Sequence, residues 1–448
     1  MNRKWFPDKL RGYGGFGSFI RWMVLIVLSV MLVACGSSSG GNEKGSGDGG
    51  DSSGGKDETV ELTMWTWNRS IDEEAIREYE RMNPHITVNL QYADQGDVHN
   101  NLITAFSSGS GAPDVVGIEI QYVERFKANP EHFYNLYDLG AAAIEEDYLD
   151  WKWAQALTPD GQYLLALPID IGPMAMAYRT DVFEAAGLPT DPDEVAELIS
   201  TWDQFIEVGE QVLAKTGIPM INEIEQLFTV VSNQSDIRYF DRENRLVIEE
   251  NEQVLRAWNL AVEAHKRGLS ANIETFSTEW GAAMNNGDYA VQFAPAWMML
   301  FMKENAVDSE GIWALTMMPE GGGNWGGSFL GIPKQSQHPE EAFAFISWLL
   351  APEQQLAAFE RVDLFPSTPG IYGEDALQKY TDPFFATPDV GRIYTQAAEQ
   401  VIAQYLGPRH TVVNDIVADA LRQIDDGAYE PDAAWSQALE EIERQLSR

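Results

Sequence analysis

The 448-residue chain has one cysteine, Cys35, so it can form no internal disulfide and has no cysteine metal site. Histidine is nearly as scarce. His85, His99, His132, His265, His338 and His410 fall at no metal-ligand spacing, and no metal site is expected. Basic residues number 30 against 69 acidic ones, for a formal net charge of −39. Such a surface repels nucleic acid and favours solubility. The apolar run at 22–33 is too short to span a bilayer comfortably. No phosphate loop, H-E-x-x-H motif or plausible triad occurs, and no cofactor is expected. Three short matches mislead. Residues 12–17 spell G-x-G-x-x-G, but no strand precedes them and no helix follows. Residues 36–40 and 50–54 spell G-x-S-x-G without the strand and helix that a nucleophile elbow needs.

The amino terminus is informative. Its first 35 residues carry five basic side chains and one acid, which leaves −43 on the remainder. Arg21 precedes the apolar run, which has the proportions of a signal-peptide core. That run ends in Leu32-Val33-Ala34-Cys35-Gly36, which matches the bacterial lipobox, in which the cysteine is lipidated and becomes the first mature residue. Residues 36–57 are rich in Gly and Ser and read as a flexible tether.

The folded body begins with a strand at 58–67. Ser70 and Glu73 have the spacing of a capping box for a helix through Met82, closed by Asn83-Pro84. A second strand follows at 86–92, then a helix with Val98, Leu102 and Phe106 on one face, ended by Gly109. A third strand follows Pro113. Strand, helix, strand, helix, strand implies a parallel sheet covered on both faces. Ligands of such sheets sit at the carboxyl ends of the strands, where Trp67, Asn68, Glu119 and Gln121 fall. The stretch 163–183 then sets two apolar runs around Pro168-Ile169-Asp170-Ile171-Gly172-Pro173. A lone carboxylate between two buried-looking strands needs partners, so Asp170 is either a structural group bonded to backbone or part of a site. Near the end of the chain, helices are expected over 390–405, 412–426 and 433–446.

Several of these motifs, in this order, resemble family 1 of the bacterial extracellular solute-binding proteins, the carbohydrate-binding subunits of ATP-binding-cassette importers. The crossing motif P-x-D-x-G-P is similar to Pro168, Asp170, Gly172 and Pro173. The family's D-x-F-x-x-A-G start resembles Asp181 to Gly187, and T-W-D-E-F resembles Thr201-Trp202-Asp203-Gln204-Phe205. Its G-x-P-D-V and G-G-S turns resemble Gly111 to Val115 and Gly326-Gly327-Ser328. The resemblance extends over 58–448. It implies an α/β, two-lobed periplasmic-binding-protein-like fold of type II, each lobe a sheet flanked by helices, with three hinge crossings. Lobe 1 would take 58–169 and 316–362, and lobe 2 would take 170–315 and 363–448.

The resemblance also implies a function: capture of a carbohydrate, an oligosaccharide rather than a monosaccharide, without catalysis, and its delivery to the permease of an importer. A lipid-anchored monomer on the outer face of the cytoplasmic membrane is expected. By the same resemblance Trp297 stacks on sugar, and Glu119, Asp170, Gly327 and Ser328 bond its hydroxyls. Gln121 and Gln234 are further candidates. Trp67 at a strand end of the opposite lobe would complete a sandwich with Trp297. Aromatic faces suit the C–H faces of a sugar ring, and carboxylates and amides suit its hydroxyl edges. The pattern departs from the family near Asn414, where an aromatic is usual, and at Ile118, where some relatives have Trp. Trp202 reads as packing. Two other readings stay open on the residues alone. One is a non-sugar solute such as a polyamine. The other is a glycoside hydrolase using Glu119 and Asp170 as its carboxylate pair.

Overall fold

The computed structural model describes residues 59–447. The signal-like segment, Cys35 and the tether lie outside the described residues. Strands β1 (Val60–Thr66), β2 (Ile86–Tyr92) and β3 (Val115–Glu119) alternate with the helices Glu73–Met82 and Gln95–Ser108. β1 pairs in parallel with both β2 and β3, as the alternation predicts. Beyond β3 the chain forms β4 (Ala166–Pro168), β5 (Asp170–Ile171), β6 (Met174–Arg179), β7 (Val291–Pro295), β8 (Trp313–Met317), β9 (Ser328–Gly331) and β10 (Phe365–Pro366). β9 returns to the first sheet antiparallel to both β3 and β4, giving the order β2-β1-β3-β9-β4. That sheet and its helices enclose the core of lobe 1, with Leu62, Met64, Val116, Leu167, Phe329 and Phe345.

Lobe 2 is built on an antiparallel sheet of order β7-β6-β8. Strand β6 is buried on both faces, and its side chains alternate between two cores, as period-two geometry requires. Met174, Met176 and Tyr178 join Trp202 and Phe293 on one side. Ala175 and Ala177 join Trp280, Trp313 and Tyr394 on the other. Trp202 is fully buried, which bears out its reading as packing. Truncating a buried tryptophan of this kind to alanine costs about 3–5 kcal/mol. Its helix, Trp202–Thr216, starts at a complete capping box of Thr201 and Gln204 and ends at Gly217, which adopts φ 76°.

Three expectations need correction. The helix Glu73–Met82 is capped by Asp72, whose Oδ1 accepts the Glu74 N–H at 3.0 Å. Ser70 instead turns its hydroxyl back onto the Trp67 carbonyl at 2.6 Å, because the chain uses a tight turn through Arg69 (φ 68°) before the helix begins. The helix near the carboxyl end spans Val390–Glu399, not 390–405. There the chain leaves the helix to lay Tyr405 beside Ile237, with the Tyr405 N–H on the Asp236 carbonyl at 2.8 Å. The second passage between lobes lies at 319–327 rather than at 316. β8 continues through Met317, and Met318 packs in the lobe 2 core, whereas Phe329 packs in lobe 1.

The three crossings are bonded to one another. β5 and β10 pair antiparallel, placing Pro366 opposite Asp170. The Gly172 N–H donates to Asn324 Oδ1 at 2.9 Å, and the Trp325 N–H returns to the Gly172 carbonyl at 2.8 Å. A Cβ on Gly172 would stand 1.8 Å from the Trp325 carbonyl oxygen, so no side chain fits there.

Candidate solute-binding cleft

Between the lobes, above these crossings, lies a cavity of about 500 Å³. Of the nine residues expected in a binding site, eight line it: Trp67, Asn68, Glu119, Gln121, Asp170, Trp297, Gly327 and Ser328. Gln234 does not. Its side chain is committed to structure: Oε1 accepts the Trp202 indole N–H at 2.8 Å, and Nε2 donates to the Pro319 and Gly321 carbonyls at 2.8 and 2.7 Å. It braces the second crossing.

Lobe 1 supplies its wall from strand ends. Glu119 closes β3 and caps the next helix, Ile120–Lys127, with Oε2 accepting the Gln121 N–H at 2.7 Å. Its own N–H donates to His99 Nε2 at 3.1 Å, while His99 Nδ1 lies 2.6 Å from the Gln95 carbonyl. This pair of contacts requires the neutral tautomer with hydrogen on Nδ1. The His99 ring stacks on Tyr122 at 3.8 Å, and Trp67 leans on it at 5.6 Å, so Trp67 is held by a column of rings.

The floor is charged. Asp170 Oδ1 accepts the Ser328 N–H at 2.7 Å. Glu119 and Asp170 are 4% and 3% exposed. Burial raises the Glu119 carboxyl to about 7, with the negative charge of Asp170 adding to the rise. Burial likewise raises Asp170 to about 6, against the pull of Lys152. Lys152 comes from the helix Asp150–Ala156 and is fully buried. Burial lowers its ammonium to about 7, with both carboxylates opposing. Lys152 was not singled out from sequence, because a lysine inside a short amphipathic helix normally faces water.

Lobe 2 supplies aromatic faces. Trp297 stands at the start of the helix Met298–Asn305, and its indole N–H donates to the Trp325 carbonyl at 2.7 Å. Phe276 lies at an angle of 28° to it at 6.5 Å, and Phe301 and Trp325 meet it edge-on. Phe276, Phe301 and Trp325 were missed. Trp325 lies directly before the Gly326-Gly327-Ser328 turn, but Phe276 lies in an irregular loop with no periodic signal. Its exposure of 56% and its φ of 64° mark it only once the structure is seen. Behind Trp325 the cleft continues as a chamber of about 210 Å³, which shares Gln121, Trp325 and Gly326 with the first. Asn414 lines that chamber and accepts the Tyr239 hydroxyl at 3.2 Å.

A family model described as bacterial extracellular solute-binding protein matches residues 65–356. The chain is 26% identical to the arabinooligosaccharide-binding protein of Bacillus subtilis (strain 168), over 88% of this chain and 91% of that protein. It is 29% identical to the lactose-binding protein of Rhizobium radiobacter, over 65% of this chain and 70% of that protein. Among solved structures, one described as an extracellular solute-binding protein family 1 superposes with a TM-score of 0.79 at 35% identity, over 86% of this chain and 99% of that one. The binding protein of a B. animalis subsp. lactis ABC transporter, in complex with β-1,6-galactobiose, superposes with a TM-score of 0.69 at 23% identity, over 86% and 98%. The chain with this cleft belongs to the family of bacterial extracellular solute-binding proteins.

Proposed function

We propose that this protein captures a carbohydrate, an oligosaccharide, between its two lobes and presents it to the permease of an ATP-binding-cassette importer. The observation that carries the reading is the composition of one cavity. Stackable rings line both walls, and buried carboxylates with backbone N–H groups line the floor. A sugar presents the complementary surface, with apolar ring faces and a hydroxyl rim. The named relatives bind arabinooligosaccharides and lactose. The Glu119 and Asp170 carboxylates each already accept a backbone N–H, which supports a holding role rather than an acid–nucleophile pair. Closure of the lobes about the three crossings traps the ligand.

A thermal-shift panel of arabino-, galacto- and gluco-oligosaccharides beside spermidine tests the reading. A ligand that binds only the folded protein raises its melting temperature. At least one oligosaccharide should do so. A shift with spermidine and none with any sugar would overturn it. Lipid attachment at Cys35 accounts for residues 32–36, and it would hold the folded body, as a monomer, on the outer face of the cytoplasmic membrane. Mass spectrometry of the mature amino terminus checks this: a diacylglyceryl mass on Cys35 is expected, and an unmodified Cys35 would refute it.

A further inference from the structure

Lys152 is a buried cation beneath the floor of the cleft. Its Nζ has no hydrogen-bond partner and makes no ion pair within 4 Å among the described residues. It sits 3.8 Å from the centre of the Phe329 ring. The floor of the cavity passes directly over it, since a Cβ on Gly327 would lie 2.8 Å from Nζ. The positive φ of Gly327, 96°, makes that approach possible without a side chain. The charges that act on Lys152 are Asp170 and Glu119, and Lys152 in turn pulls on both of them. Other titratable groups packed around them are His99, which is neutral, and Tyr122; Arg125 acts on both rings, Asp415 acts on Tyr122, and Lys127 donates to the Gln155 carbonyl on the lysine's own helix.

This placement has a chemical consequence. A carboxylate this deeply buried without a cation takes up a proton and turns from acceptor to donor. A cation in direct contact would keep it ionised but occupy its lone pairs. Lys152 avoids both outcomes, because its ammonium rests on an aromatic face and a glycine backbone and acts through its field. Asp170 spends Oδ1 on Ser328 and Glu119 spends Oε2 on Gln121, and neither is bonded to the lysine.

We propose that Lys152 is a positioning residue for solute capture: without touching the ligand, its charge favours the anionic form of Asp170 and opposes protonation of Glu119, so that both can accept hydrogen bonds from sugar hydroxyls. The inference rests on the reading of this cleft as the sugar site. It makes the cleft specific for a ligand that donates hydrogen bonds at its floor.

The test uses whichever oligosaccharide raises the wild-type melting temperature, titrated by calorimetry from pH 6 to 9.5 into wild type, Lys152→Met and Lys152→Gln. Circular dichroism melts identify the variants that fold, and the glutamine variant serves if the methionine one does not. At pH 7 the variant should bind about tenfold to a hundredfold more weakly, the loss expected when charge-assisted bonds go. That deficit should shrink as the pH rises to 9.5, where the carboxylates ionise without help. A deficit equal at every pH would assign Lys152 a packing role only and overturn the proposal, as would an undiminished affinity at pH 7. If no sugar binds wild type, the functional reading fails first, and the two failures are thereby distinct.

Discussion

The indole N–H of Trp297, at the head of a lobe 2 helix, donates to the carbonyl oxygen of Trp325 in the second crossing, at 2.7 Å, with the two rings nearly perpendicular. The bond fixes the Trp297 ring plane and holds the glycine turn beneath it. Trp297→Ala should weaken sugar binding by about 2 kcal/mol or more, as loss of an aromatic anchor does, or roughly thirtyfold in Kd. Trp297→Phe keeps a face but loses the bond, so its deficit should be smaller. Titration calorimetry of both variants measures this, and normal affinity in the alanine variant would remove the ring from the site.

Asp170→Asn tests the floor. The substitution nearly preserves shape but replaces charge-assisted acceptance of hydroxyls with neutral bonds, which should cost roughly 1.5–3 kcal/mol of affinity. Melting curves of the unliganded variant accompany the titration. A lowered melting temperature with intact affinity would make Asp170 structural.

Arg69 in lobe 1 and Glu304 in lobe 2 form a two-pronged ion pair across the mouth of the cleft, with Arg69 Nε 3.1 Å from Oε2. Both side chains are more than a third exposed, so the pair is worth no more than about 0.2–1 kcal/mol. Glu304→Gln should loosen the closed state slightly, raising Kd less than about fivefold. High salt screens exposed charges, so at 1 M salt the wild type and variant should converge. A difference that persists in salt would mean that Glu304 touches the ligand.

Burial lowers the His99 imidazolium to about 4, below its ordinary value of 6.5. Its folded-state pKa is depressed, so its contribution to stability is complete above pH 6.5 and is lost as the pH falls toward 4. Over that window the unfolded chain binds the proton and the native protein does not. The two values bracket a loss of roughly 3 kcal/mol. Denaturant titrations of wild type and His99→Gln at pH 7 and 4.5 should show their difference in stability shrinking in acid. A constant difference would mean that His99 does not titrate in this window.

Much of this was legible before the structure. Where local chemistry decides, the reading held: Asn83 and Gly109 end their helices, and a helix starts at Thr201. The strand ends carrying Trp67 and Glu119 were also legible, because parallel pairing places them on one edge. What failed was non-local. Gln234 looked like a polar ligand until Trp202 and two carbonyls of the second crossing were found to use up its amide. Lys152 carried no signal in the sequence, and only the glycine floor above it marks it out. Phe276 approaches Trp297 only through tertiary packing, whereas Phe301 lies one helical turn after it in a helix that the sequence reading had not placed. No pattern along the chain reports which polar groups are already paired.

The lacing of the three crossings bears on how the molecule moves. Three independent tethers would let the lobes slide and twist as well as open. Here β5 is bonded to β10, Gly172 is bonded to both Asn324 and Trp325, and there is no room at Gly172 for even a methyl group. A seam of that kind behaves as a crease in stiff card, which folds along its line and resists shear across it. Such a seam would leave the lobes one rotation, and each closing stroke would return the Trp67 and Trp297 rings to the same separation. On that reading the selectivity of the cleft for ligand thickness would be set by hydrogen bonds between the crossings rather than by contacts with the ligand.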